Sequence, residues 1–137
     1  MARDIYHNTV RDALIADGWT ITNDPFPIVF GGHNMYVGLG VERMLAAERG
    51  NRHIAVKVKS FVGGSEVDDL GLALAQYMLY RGLMQEEDAE RTLYLGVSRK
   101  IFEGLFQQPL GRFTSEEFHV KMLVFDPDER AIHRWIE

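Results

Sequence analysis

Two lysines on one predicted strand are the residues of this chain best suited to holding an anion. In residues 53–61, β-branched residues alternate with other types, and this period of two is typical of a strand with two distinct faces. The β-branched face suits a protein core, whereas the other face would carry Lys57 and Lys59 about 7 Å apart. Such a pair could contact phosphate, or it could be a solvated face that protects a sheet edge.

The segments before and after this strand must position any site built on it. Residues 35–40 form a second short apolar stretch, predicted as a strand, which contains Gly38. Downstream, Ser65 is a suitable N-cap for a helix that continues to about residue 83. Gln76 and Tyr80 lie four residues apart on that helix, so they share a face and could point at the strand lysines. Core packing explains Tyr80 equally well.

This order of a strand, a strand with x-x-Lys and a helix with Gln-x-x-x-Tyr resembles the PD-(D/E)xK nuclease superfamily. The resemblance implies an α/β, restriction-endonuclease-like fold, with a central mixed β-sheet flanked by helices. It also implies two acidic residues that hold a divalent cation beside a lysine that orients the attacking water. A metal suits this chemistry because it neutralises the phosphodiester and lowers the pKa of its bound water. Lys59, Gln76 and Tyr80 match the catalytic positions of that constellation.

A narrower resemblance extends over most of the chain. The segments MARDIYH at 1–7, LIADGWTITNDP at 14–25 and LVFDP at 123–127, with shorter ones at 45–48, 54–56 and 59–61, are similar to the XisH family of fdxN element excision controlling factors. That resemblance implies a role in site-specific excision of a DNA element, alongside a site-specific recombinase and a small companion protein, XisI. It does not by itself establish a reaction.

The chain departs from the family pattern at both expected metal ligands. Gly38 stands where such sequences have aspartate, and Lys57 stands where they have glutamate. Glycine offers no ligand and lysine repels a cation, so we expect no metal in the usual position. An active magnesium nuclease would need carboxylates from elsewhere, and the candidates are Glu42, Glu48, Asp12 and Glu66.

Composition limits the function classes. The 137 residues predict a single domain over 1–137, and the chain has no cysteine and so no disulfide or thiolate metal site. The absence of a long apolar run or a leader-like start predicts a cytoplasmic protein without membrane segments. A net charge of −5 argues against bulk electrostatic binding of nucleic acid. A local basic patch remains open, and its predicted DNA-binding residues are Lys57, Lys59, Arg43 and Arg52.

Hydrophobic patterning predicts the element order α-β-β-β-β-β-α-β-α-α-β-β. Residues 31–34 are predicted as a turn, 42–48 as a strand, 107–111 as a break and 114–118 as the start of a short helix capped by Thr114. The five histidines never fall at zinc-ligand spacing.

Three functions are compatible with these observations. The first is a controlling factor that binds DNA or a partner without cleaving, the second is the magnesium-dependent nuclease with relocated ligands, and the third is a structural subunit or homo-oligomer. An exposed apolar patch would favour an interaction protein over DNA contact.

Overall fold

Six strands form one mixed sheet in the computed structural model, which describes residues 5–30, 33–34 and 44–137. The sheet order is β1-β4-β5-β6-β7-β8, in which β5, β6 and β7 are mutually parallel and the other neighbours are antiparallel. A separate two-stranded ribbon joins β2 to β3. The strands are β1 Thr20–Asn23, β2 Val29–Phe30, β3 His33–Asn34, β4 Met44–Arg49, β5 Arg52–Val58, β6 Arg91–Ser98, β7 Met122–Asp126 and β8 Ala131–Ile136.

Helices flank this sheet, which confirms the predicted mixed sheet between helices. They are α1 His7–Ala16, α2 Glu66–Glu87, α3 Arg99–Glu103 and α4 Pro109–Glu117, with a 3₁₀ turn at Leu105–Gln107. The strand predicted in residues 35–40 lies outside the described residues. Residues 33–34 were predicted as a turn, and that prediction is wrong because they pair with β2. No helix among the described residues is long and apolar enough to cross a membrane.

Strand β5 is buried on both faces. Ile54 and Val56 belong to an apolar cluster with Val10 and Leu14 of α1, whereas Ala55 belongs to a second cluster formed largely by α2 and the strands beneath it. The prediction of a half-exposed strand is therefore wrong. Alternation still sorts the residues between two faces, but a helix covers each face, so neither is left to solvent.

Helix α2 begins as predicted and ends one turn later. The Ser65 hydroxyl accepts a hydrogen bond from the Asp68 amide at 3.2 Å, and the acidic first turn suits the positive end of the helix dipole. The hydroxyl of Tyr77 donates to the carbonyl of Leu93 at 3.1 Å and accepts from the amide of Lys121 at 3.0 Å. Tyr77 thereby ties the middle of α2 to β6 and to the residue just before β7.

Helix α4 begins earlier than the sequence pattern indicated. It starts at Pro109, which is tolerated in the first turn because that turn needs no amide donor. Thr114 was predicted to cap the helix, but its hydroxyl donates to the Leu110 carbonyl at 2.9 Å inside the helix. Gly111 permits this start because a Cβ there would overlap the carbonyl oxygen of Leu105.

Replacing Gly111 by alanine should therefore destabilise the protein by about 2–4 kcal/mol, since backbone atoms that cannot rotate away would have to move. Gly82 is the matched control, because it lies inside α2 where a Cβ would meet nothing within 4 Å. Gly82→Ala should stabilise the protein by about 0.5–1 kcal/mol through helix propensity. Urea denaturation of the two variants measures both changes, and equal effects would contradict this account of the α4 start.

Candidate functional site

Lys57 lies inside the protein rather than on a surface. Its side chain is only 2% exposed, and its Nζ donates to the Val58 carbonyl at 3.1 Å. In the register of the sheet, Lys57 stands between Met44 of β4 and Leu95 of β6. The expectation that Lys57 and Lys59 form a solvent-facing pair is therefore wrong, because the covering that buries Ala55 also buries Lys57.

Lys59 follows the end of β5 and keeps a small opening to solvent. Its Nζ lies 3.8 Å from Oδ1 of Asp69, and both side chains are mostly buried. The other carboxylate oxygen of Asp69 accepts a hydrogen bond from the amide of Gly63 at 2.9 Å, which ties the loop before α2 to the helix. Asp69 is the partner that sequence analysis missed, since an acid in a first helical turn is explained by the dipole alone.

The two helical residues of the predicted constellation have different environments. Gln76 is half-buried, while Tyr80 is fully buried and its hydroxyl has no hydrogen-bond partner among the described residues. Burial raises the pKa of the Tyr80 phenol to about 12. Tyr80 thus packs as a neutral core residue, which agrees with the packing alternative that the sequence left open.

The described candidates for relocated metal ligands do not converge on Lys59. Glu48 pairs with His53 at 3.3 Å, at the start of β5 rather than at its end. Asp12 pairs with Arg130, and Glu66 is exposed in the first turn of α2. Gly38 and Glu42 lie outside the described residues. Among the residues that the structure describes, no three acidic or histidine side chains are grouped to hold a metal.

The predicted DNA-binding residues do not form one patch. Arg52 begins β5 and Lys59 follows it, so seven residues of extended chain, about 23 Å, separate them. The guanidinium of Arg52 is already engaged, since it donates to the hydroxyl of Tyr94 at 2.9 Å and lies 5.7 Å from the Trp135 ring centroid. Arg43 lies outside the described residues.

A buried polar network holds α1 against the chain after β1. The Nε2 of His7 lies 2.8 Å from one carboxylate oxygen of Asp24, and the guanidinium of Arg11 donates to the other at 2.9 Å. His7 is fully buried in this network. A histidine seventeen residues from its acid gives no local sequence signal, so only the fold shows this pairing.

The outer face of α2 is unusually apolar. Its exposed large side chains are 39–57% accessible, and glycine and alanine lie between them, so the helix presents few polar groups there. The exposed apolar residues of this outer face are Val67, Leu72, Met78 and Leu79. A soluble helix normally places charged residues on that side, which makes this face a candidate interaction surface.

Comparisons with known proteins extend over nearly the whole chain. Residues 1–133 match the family model described as XisH protein. An XisH family protein from Nostoc punctiforme PCC 73102 is 38% identical, with a TM-score of 0.90, and the match covers 98% of this chain and 100% of that one. An fdxN element excision controlling factor protein from Anabaena variabilis is also 38% identical over the same shares, with a TM-score of 0.89. No curated protein matches the chain.

The contrast between two tyrosines of α2 gives a test of the site geometry. Tyr80→Phe removes a hydroxyl without a described partner, so we expect stability unchanged or increased by about 1 kcal/mol at pH 7. Tyr77→Phe removes a hydroxyl that makes two hydrogen bonds, so it should cost about 1–3 kcal/mol. Urea denaturation of the two variants measures both changes in the free energy of unfolding.

The pH dependence supplies a second readout for the same variants. The pKa of Tyr80 is raised above its unfolded value near 10, so the folded state keeps the proton longer and stability falls as the pH rises from about 10 toward 12. Tyr80→Phe should make that fall shallower. A Tyr80→Phe protein as unstable as Tyr77→Phe would show that the Tyr80 hydroxyl is bonded.

Proposed function

The chain belongs to the XisH family of fdxN element excision controlling factors, and we propose that it exerts this control by binding a protein partner, without cleaving DNA itself. The partner of this proposal is the small XisI-like companion protein, which would link the chain to a site-specific recombinase. Excision of a DNA element takes place where the DNA is, so we propose a cytoplasmic location.

The outer face of α2 is the observation that carries this proposal. Leu72 and Leu79 are seven residues apart, so they lie on the same side of the helix and are 50% and 41% exposed. A Cβ added at Gly71, one residue before Leu72, would meet nothing within 4 Å, so a partner could approach the helix backbone closely there. Large apolar side chains beside small ones offer the ridges and grooves of a helix-packing surface.

Charge indicates a partner different from the chain itself. Both ends of α2 are acidic, with Glu66 and Asp68 in the first turn and Glu86 and Glu87 in the last. Two copies of α2 packed in either direction would bring acid against acid, which disfavours a homodimer through this face. The surface that complements this face of α2 is therefore an apolar one flanked by basic residues. A homodimer on this face is therefore the less favoured alternative.

The proposal that the chain does not cleave rests on Lys57 and Asp69. In the PD-(D/E)xK pattern, the residue two before the lysine is a metal ligand, and here it is a buried cationic side chain. Asp69 is the carboxylate that approaches Lys59 among the described residues, and its oxygens are shared with Lys59 and the Gly63 amide. A magnesium ion there would face an ammonium group where the pattern has a carboxylate.

Direct DNA contact is the remaining part of the prediction. Lys59 lies just after the end of β5, with some accessibility and only a loose acidic partner, Asp69, at 3.8 Å. The net charge of −5 and the pairing of Arg52 give DNA binding less support than partner binding. DNA binding stays a prediction. Its test is whether Lys59→Gln reduces the salt dependence of DNA binding, as the loss of a phosphate contact would.

Leu79→Glu tests partner binding. A charge at the centre of the apolar face should weaken association with purified XisI-like protein about tenfold or more, because the carboxylate would be buried against apolar groups. Leu110→Glu is the matched control, since Leu110 is a leucine of similar exposure, 44%, on α4. Calorimetry measures both affinities. Unchanged binding by Leu79→Glu, or an equal loss in Leu110→Glu, would remove α2 as the interface.

Manganese titration tests the absence of a metal site. We expect no stoichiometric binding by the native chain, and we expect binding to appear when Gly38 and Lys57 are changed together to Asp and Glu, which restores both carboxylates of the pattern. Asp69→Asn in the native chain is the control. Stoichiometric binding by the native protein that Asp69→Asn abolishes would favour the nuclease with relocated ligands, and a DNA cleavage assay would follow.

A further inference from the structure

A basic cavity lies at the end of the parallel strands opposite to Lys59. It has a volume of about 500 Å³ and opens between the end of α2, the start of β6 and the turn before β7. Its lining includes Arg81, Arg91, His119 and Lys121, and no aspartate or glutamate of the described chain lines it. Since β5, β6 and β7 run parallel, the end of the sheet at which β6 and β7 begin is opposite the end at which β5 finishes. The cavity is therefore separate from the site considered above.

Arg81 is the charge that the protein itself leaves uncompensated. One guanidinium nitrogen donates to the carbonyls of Phe118 at 2.8 Å and His119 at 3.1 Å, and the group lies 5.2 Å from the ring centroid of Tyr77. No carboxylate of the described residues forms an ion pair with it. These contacts fix the guanidinium in place, and because its partners are neutral groups it keeps a net positive charge that an anionic ligand could meet.

The other two cations differ in how fully they are used. Arg91 is structural, because it donates to Asp88 at 3.0 Å and to the Ile54 carbonyl at 2.9 Å. Lys121 is 42% exposed and lies 4.0 Å from Glu137, which is the limit of an ion pair. Such a loose pair contributes little, so the ammonium group can turn toward an anion at small cost.

His119 adds a backbone observation to this charge pattern. It is exposed and lines the cavity, and its φ of +51° is that of the left-handed residue that ends α4, where the amide of Val120 donates to the Ser115 carbonyl at 2.9 Å. Arg81 fixes this turn, because its guanidinium donates hydrogen bonds to the carbonyls of both Phe118 and His119.

We propose that this cavity binds a phosphate ester of nucleotide size, with the phosphate at Arg81, His119 and Lys121. The uncharged part of the ligand would pack on Met84 and Leu93, which supply the apolar wall. A volume near 500 Å³ is within the usual range for small-molecule sites. The carboxyl end of α2 contributes about half a negative charge nearby, and its last turn carries Glu86 and Glu87, but neither glutamate lines the cavity. The source of the ester is either a free nucleotide or a backbone phosphate of DNA.

Calorimetric titration of the full chain with adenosine 5′-monophosphate, adenosine and inorganic phosphate tests this directly. We expect one equivalent of the nucleotide to bind, phosphate to bind more weakly and adenosine to give no signal. Equal binding of adenosine and its monophosphate would overturn the proposal, because the phosphate would then contribute nothing. The result is independent of whether α2 binds a protein partner.

Two variants locate the binding without relying on Arg81, whose loss could open the turn. Lys121→Gln removes a charge, and His119→Gly removes an imidazole at a backbone conformation that favours glycine, so both proteins should fold. Each should weaken nucleotide binding about tenfold. Lys100→Gln, at an exposed lysine on α3, is the control and should change nothing. Native affinity in both cavity variants would overturn the proposal.

A short single-stranded oligonucleotide distinguishes the two sources. Binding of the oligonucleotide that Lys121→Gln weakens, in the absence of mononucleotide binding, would support a backbone phosphate as the ligand. Mononucleotide binding alone would support a free nucleotide. If none of the four probes binds the folded native protein, the cavity is not a phosphate site.

Discussion

Strand β5 lies between an antiparallel and a parallel neighbour and carries a helix on each face, so every polar group on it must find its partner inside the protein. This burial determines what Lys57 can do. An ammonium group there is removed from solvent and held by backbone oxygen, which fits a structural role better than contact with a large ligand. The burial also places Lys59, at the strand end, beside Asp69 of α2.

Most cationic side chains of the described protein are used internally. Arg11 binds Asp24, Arg49 binds Asp17, and Arg91 binds Asp88, each at about 3 Å. An acidic chain whose arginines are committed in this way has little charge left for nonspecific binding of nucleic acid. What remains for recognition is local, namely the apolar outer face of α2 and the cavity around Arg81.

The sequence predicted those features that depend on neighbouring residues. The Ser65 cap and the strand predicted over 42–48 follow from short-range patterns, and the structure confirms the cap and a strand over Met44–Arg49. The mixed sheet was implied by the family resemblance, and the structure confirms it as well. The sequence did not predict the burial of Lys57 or of His7, because burial depends on which elements cover a face, and that is decided by distant segments. Thr114 was misassigned because the same residue type can cap a helix or bond back to a carbonyl within it.

Helix α2 separates the two surfaces that remain. Its inner side carries Tyr77 and Arg81 toward the cavity, and its outer side carries Leu72 and Leu79 toward solvent. The two hydrogen bonds of the Tyr77 hydroxyl, to β6 and to the residue before β7, would have to break if the helix slid along the sheet. A partner on the outer face therefore meets a helix fixed in position. Coupling between the two surfaces would require α2 to adopt a second position on the sheet. The buried hydrogen bonds of Tyr77 disfavour such a position, so we expect the two surfaces to bind their ligands independently.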